Sequence, residues 1–158
     1  MSGLYGGEAL AQKAASLELK GLRSYLEFID AENEHRLHVP LMILIDYWGY
    51  RVIATSVLPI GSGTLCYGSS DAGATVHNES PELNAIMERA ARFIGMKGHV
   101  VGFTQPKLIH GPCDIEGHLG RDGKYYVLDT ARLYCPESPS RFFMALRLPA
   151  DAFRRSSV

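Results

Sequence analysis

Between Cys113 and Arg132 the chain gathers most of the side chains able to do chemistry: Asp114, Glu116, His118, Arg121, Asp129 and Arg132. Asp122-Gly123 in the middle reads as a tight β-turn, because these residues accept the positive φ that a primed two-residue turn requires, and Tyr125 to Leu128 is an aromatic and β-branched run of strand length. With Asp122 and Gly123 as the two turn residues, the register predicts His118 opposite Val127 and Glu116 opposite Asp129, all four on one face. Opposed residues have Cβ atoms roughly 4.5–5.5 Å apart, so facing carboxylates need an arginine, a shared proton or a cation between them. Glu116 and Asp129, with His118, are the candidate cation ligands, and their oxygen donors suit magnesium or calcium. A three-residue loop with a bulge would break this arrangement.

The second candidate is Gly68-Ser-Ser-Asp-Ala-Gly-Ala-Thr-Val76, where Ser69, Ser70, Asp71, Thr75 and exposed backbone could cradle an anion. It lacks the Gly-Lys-Ser/Thr ending of a Walker loop, so an ordinary connection is the simpler reading. His110, Cys113 and His118 are zinc-type ligands without the paired spacing of a structural site. Cys113 and His118, five apart on one regular strand, point to opposite faces, which argues against a Cys/His nucleophile pair. No cofactor is expected, except magnesium if the carboxylates form a cation site.

Composition bounds the rest. With 158 residues, 46% hydrophobic and 21% charged, the chain suits a single domain over 11–154, with a flexible tip at 1–10 and a tail at 155–158. A net charge of −1 offers no general field for nucleic acid. Apolar runs are too short to span a membrane, no signal peptide is evident, and three unevenly spaced cysteines suit a reducing compartment, so a cytosolic location is expected.

From Glu8 apolar residues recur at spacings of three and four up to Ile29, one long helix or two short ones, with Gly21 as a break or a close-packing point. Asp30 to His38 reads as a polar connector. Val39 to Ile45 reads as a buried strand, Asp46 to Gly49 as a turn, and Tyr50 to Leu58 as its antiparallel partner, with the Trp48 ring read as covering the sheet edge in preference to serving as a binding platform. Thr64 to Tyr67, His99 to Phe103 and Lys107 to His110 are further strands. Ser80-Pro81 opens the clearest helix, which Gly95 ends, with an apolar stripe through Leu83, Ile86, Met87, Ala90, Ala91 and Ile94. Pro136 and Pro139 interrupt regular structure before Arg141 to Leu148, and Asp151 to Val158 is a polar end. The expected class is α+β, a mostly antiparallel sheet of five to seven short strands with one or two helices packed on one side.

Three stretches resemble the Clu domain of the clustered mitochondria family: Val39 to Pro59, Tyr67 to Val76, and above all Asp114 to Arg132 with Pro136-Glu137. The similarity extends from about Ala11 to Arg154. It implies a cytosolic protein tied to mitochondrial distribution, to binding of messenger RNAs for mitochondrial proteins, and to translation factors. Where the family often has Gly-Lys-Thr, this chain has Gly73-Ala74-Thr75, one positive charge fewer, and nothing here could house the family's helical repeats.

Two functions compete. In the first, Asp114, Glu116, His118, Arg121, Asp129 and Arg132 form the polar face of a non-catalytic module that docks a protein partner or mRNA. In the alternative, a divalent-cation-dependent nucleotide-binding or phosphotransfer enzyme, the hairpin carboxylates hold magnesium and the Gly68 to Thr75 loop takes phosphates. A third reading has Arg121 or Arg132 merely neutralising the acids.

Overall fold

Apolar residues at helical spacing build one uninterrupted first helix, α1 (Glu8–Ala31), in a computed structural model that describes residues 7–133. Gly21 is a close-packing point rather than a break: a Cβ there would lie 2.3 Å from the Thr130 carbonyl oxygen. Past the C-cap Glu32, Asn33 takes the left-handed conformation that commonly stops a helix. The second helix, α2 (Pro81–Ile94), follows its sequence signals closely. Ser80 Oγ accepts from the Leu83 N–H, Pro81 occupies the first position, and Gly95 closes the end with φ 86°.

Nine strands complete the described fold: β1 (Leu37–His38), β2 (Met42–Tyr47), β3 (Tyr50–Thr55), β4 (Leu65–Gly68), β5 (His77–Asn78), β6 (His99–Val101), β7 (Lys107–Ile109), β8 (Glu116–Leu119) and β9 (Tyr125–Leu128). The main sheet has the order β1-β9-β8-β4-β5, while β2-β3 and β6-β7 are separate two-stranded ribbons. Every pairing is antiparallel except β1 with β9. The class is therefore α+β, as expected, but β1 and β5 were not foreseen: two-residue strands leave no periodicity to detect.

Both helices face one core. Tyr25 and Phe28 of α1 meet Leu83, Ile86, Met87 and Ala90 of α2 over Leu37, Tyr67, Ile109 and Val127 from the strands and Ile115 just ahead of β8. Gly117 lets the sheet approach α2, since a Cβ there would stand 3.0 Å from Leu83 Cδ2.

The β2-β3 ribbon corrects the expectation of a buried strand. Only Met42 among its strand residues is partly covered, and all the others are exposed. The apolar run Val39 to Ile45 reads as interior because sequence cannot tell a face that meets the core from one that meets something else. The ribbon turns on Trp48 and Gly49, φ 50° and 79°, the pair of positive dihedrals that a primed hairpin demands. Trp48 is 86% exposed at this tip, tilted against Tyr47 at 6.1 Å between centroids. It does not cover the sheet edge.

Pro136, Pro139, Arg141 to Leu148 and the two termini, for which the sequence sets expectations, lie outside the described residues. No described helix is long and apolar enough to cross a membrane.

Candidate functional site

The central hairpin forms, but with a different turn. Gly120 N–H donates to the Lys124 carbonyl and Gly123 N–H to that of Gly120, closing a three-residue loop, Arg121 to Gly123, with Gly123 at φ 78°. This slips the register by one residue. Glu116 stands opposite Leu128, Gly117 opposite Val127 and His118 opposite Tyr126. The expected pairs Glu116 with Asp129 and His118 with Val127 are corrected accordingly. Sequence could not separate the two turns, because Asp-Gly serves both a two-residue loop and the end of a three-residue one.

Most charges of this face are spent on one another. Asp114 is buried in the turn before β8 and forms an ion pair with the exposed Arg132. The Thr64 hydroxyl donates to the Gly61 carbonyl at 2.8 Å, so its oxygen accepts from His118 Nδ1 at 2.9 Å. His118 Nε2 then faces Glu116 Oε2 at 3.2 Å, an ion pair when both ring nitrogens carry protons. Tyr126 Oη donates to Asp122 at 2.8 Å, and the His38 ring lies 5.5 Å from that of Tyr126. Arg121 is exposed and its guanidinium lies over Gly61. Cys113 is exposed ahead of β8 and not on the regular strand its spacing from His118 suggests.

Asp129 stands apart. It lies just past β9 at φ 55°, and desolvation together with the Glu18 and Glu116 carboxylates raises its pKa. A raised carboxylate pKa weakens the fold above the unfolded value and relieves it as pH falls. Asp129→Asn keeps a side chain that tolerates this backbone and removes the repulsion. We expect a gain of about 0.5 kcal/mol near neutral pH, small because the group is open to solvent, vanishing in acid when both proteins are titrated with urea.

The glycine-rich loop is filled by its own side chains. Ser69, fully buried, accepts from Gly73 N–H at 2.8 Å and donates to Asp71 Oδ1 at 2.8 Å, while that same oxygen accepts from Thr75 N–H at 2.8 Å. These bonds lower the Asp71 pKa. The carboxylate thus occupies donors that a phosphate would need. Ser70 and the Thr75 side chain are exposed beside it. Among the described residues no three His, Cys, Asp or Glu side chains gather closely enough to hold a metal ion.

Sequence reasoning missed two polar hubs. Glu18 receives Thr130 through its backbone N–H at 3.0 Å and its hydroxyl at 2.9 Å, and the same hydroxyl lies 3.0 Å from the Glu18 carbonyl, tying the end of the hairpin to the middle of α1. Glu34, 4% exposed, is gripped by the Arg36 fork at 2.7 Å on each oxygen and by Arg89, while Arg36 also reaches Glu82 at 2.9 Å. Glu34 lies in the segment read as a polar connector, and its partners are up to 55 residues away, beyond any local signal.

Residues 2–139 match the family model described as CLU, Clustered mitochondria. A clustered mitochondria protein homolog of Caenorhabditis briggsae is 33% identical over 84% of this chain and 11% of its own length. The Homo sapiens homolog is 31% identical over 84% of the chain and 10% of its own, and Protein clueless of Drosophila ananassae 31% over 84% and 9%. The chain thus spans about a tenth of the length of the curated relatives it matches. No solved structure matches it.

Proposed function

The chain belongs to the clustered mitochondria family, and from that premise we propose that it is a non-catalytic docking domain that serves the distribution of mitochondria from the cytosol. The observation that carries this reading is the β2-β3 ribbon, where Ile43, Leu44, Ile45, Val52 and Ile53 lie open to solvent behind an exposed tip of Tyr47, Trp48 and Tyr50. An isolated two-stranded ribbon is marginal in water, and contiguous exposed apolar surface marks an interaction site.

The chemistry of the ribbon favours a protein partner, translation factors included, over messenger RNA. Aromatic residues could stack on bases, but the ribbon carries a single cation, Arg51, which is held by Asp46 through bonds of 2.6 and 2.8 Å. Single-strand binders combine stacking with a positive groove that tracks the phosphates. The polar hairpin face, with its acids largely paired, is the weaker docking surface. A magnesium-dependent nucleotide site has less support still, because Asp71 fills the phosphate loop and the slipped register takes Asp129 out of direct opposition to Glu116.

Replacing Trp48 and Tyr50 together by alanine tests the reading without touching the core. Central aromatic anchors are each worth about 2 kcal/mol or more, so partner affinity should fall about thirtyfold for either one and further for both. In the parent cell, deletion of the gene and the double variant are both expected to disturb the distribution of mitochondria. Normal distribution on deletion would overturn the mitochondrial role; normal distribution in the variant alone would move docking off the ribbon.

A further inference from the structure

The register of the β2-β3 ribbon sorts its side chains into two faces, because neighbours along a strand point to opposite sides. Met42, Leu44 and Asp46 stand opposite Thr55, Ile53 and Arg51, and this face looks towards α1: Leu44, Arg51 and Ile53, joined by Gly49 and Tyr50 at the turn, line a groove of about 680 Å³ with α1 residues between Ala11 and Leu19. Ile43, Ile45 and Tyr47 stand opposite Ala54, Val52 and Tyr50 on the outer face. All six are exposed, Ile45 at 39% and Tyr50 at 74%. We propose that this outer face is an interface between two copies of the chain, packed ribbon on ribbon about a twofold axis through the Ile45 and Val52 pair. The inference rests on the reading of the ribbon as a docking surface and names its occupant.

The size of the face suits such a pair. An aromatic side chain can bury about 150–250 Å², and Trp48, 86% exposed and tilted against Tyr47, extends the face at its end. With the three rings and the aliphatic residues, each copy presents roughly 600 Å² of apolar surface. Two copies together reach about 1,200 Å², the lower end of specific interfaces. Twisted ribbons stack face to face about 10 Å apart with their strands within about 30° of each other. The stack gives a ribbon that is marginal by itself the second layer it lacks.

Charge favours a second copy over a different protein. A twofold interface sets the residues near its axis against themselves, so any charge there would meet its own kind. The outer face has none to meet. Asp46 and Arg51, the only charged residues between 42 and 55, lie on the face towards α1 and pair with each other at 2.6 and 2.8 Å. A face built for a different protein uses charged or polar side chains to fix register and reject wrong partners, and here only the two tyrosine hydroxyls are of that kind.

Sedimentation of the full chain from about 1 to 100 µM tests the pairing, since an interface at the lower end of the size range gives micromolar affinity. Wild type is expected to pass from one chain to two over that range. Val52→Lys and Val52→Glu each bring like charges together at the axis, and each alone is expected to pair at least about tenfold more weakly. Their equimolar mixture should regain the pair through opposite charges. A wild type that stays monomeric overturns the pairing but leaves the docking reading, which the Trp48 and Tyr50 variant tests separately. Variants that pair as wild type does, a mixture no better than its components, or growth beyond two chains also overturn it. Hydrogen exchange in α2 reports whether the variants are folded. Should α2 lose protection, a photo-crosslinking residue in place of Ile43 decides instead: attachment between copies within residues 43–54 supports the interface, and attachment elsewhere or none refutes it.

Discussion

Gly68→Ala is expected to unfold the domain or to leave it barely folded. A Cβ at this position would stand 1.7 Å from the Ile115 carbonyl oxygen and 2.8 Å from its carbon, and the backbone sits at φ +81°. The obstacle is main chain and cannot rotate away. Relief requires β4 and β8 to separate, and with them go the Gly68 pairing to Glu116 and the bond from Ser69 N–H to the Ile115 carbonyl at 3.0 Å. The left-handed backbone alone costs an L-residue about 1–2 kcal/mol. Parting two central strands adds more, for a total above about 4 kcal/mol, comparable to the whole stability of many domains. Gly63→Ala is the control: φ is +88° there too, yet nothing lies within 4 Å of the added atom. It should cost only the backbone share, so that its melting temperature falls about 2–8 °C. Similar melting temperatures for the two variants would show that the close approach of β4 to β8 is not what Gly68 serves.

Glu34→Gln is expected to lose about 2 kcal/mol at neutral pH, and the loss should disappear in acid. Hydrogen bonds from Arg36 and Arg89 hold the Glu34 carboxyl at about 2, against 4.5 for the free group. A displacement of that size bounds the pairing at about 3 kcal/mol, and half-exposed arginines, whose charges water screens, bring the expectation to about 2. The sign follows from the lowered value. A carboxylate favoured in the folded state contributes in full above pH 4.5, and its contribution fades as pH falls from there towards 2. Urea titrations of wild type and variant should therefore show curves well separated at pH 7 that converge near pH 2–3. A constant gap across that range would mean that shape, rather than charge, is what Glu34 supplies.

Legibility in the sequence followed the range over which each feature is specified. Helix α2 carries its own cap, proline, apolar stripe and terminal glycine within sixteen residues, and it formed where those signals put it. The two hairpins were legible as hairpins because a turn and two flanking strands are local. Their consequences were not. A single extra loop residue between Leu119 and Tyr125 moved Asp129 out of register with Glu116, and an apolar strand without its covering partner looks the same in sequence as one in the core. Gly68 to Thr75 reads as an ordinary connection with an anion cradle as the alternative, because glycine spacing alone does not distinguish backbone that must meet a ligand from backbone that must meet a neighbouring strand. Glu18 and Glu34 gave no signal at all, since a buried carboxylate with distant partners has the same letter as a solvated one.

The bond between Glu18 and Thr130 joins residues 112 apart, and the parallel pairing of Leu37 with Tyr125 closes the sheet across 88. Contacts of such long range must await the loop that separates them, which slows assembly. On the ribosome the first helix leaves the tunnel long before its seat exists. Release of the finished hairpin, rather than formation of any helix, is then the moment at which this domain becomes resistant to proteases.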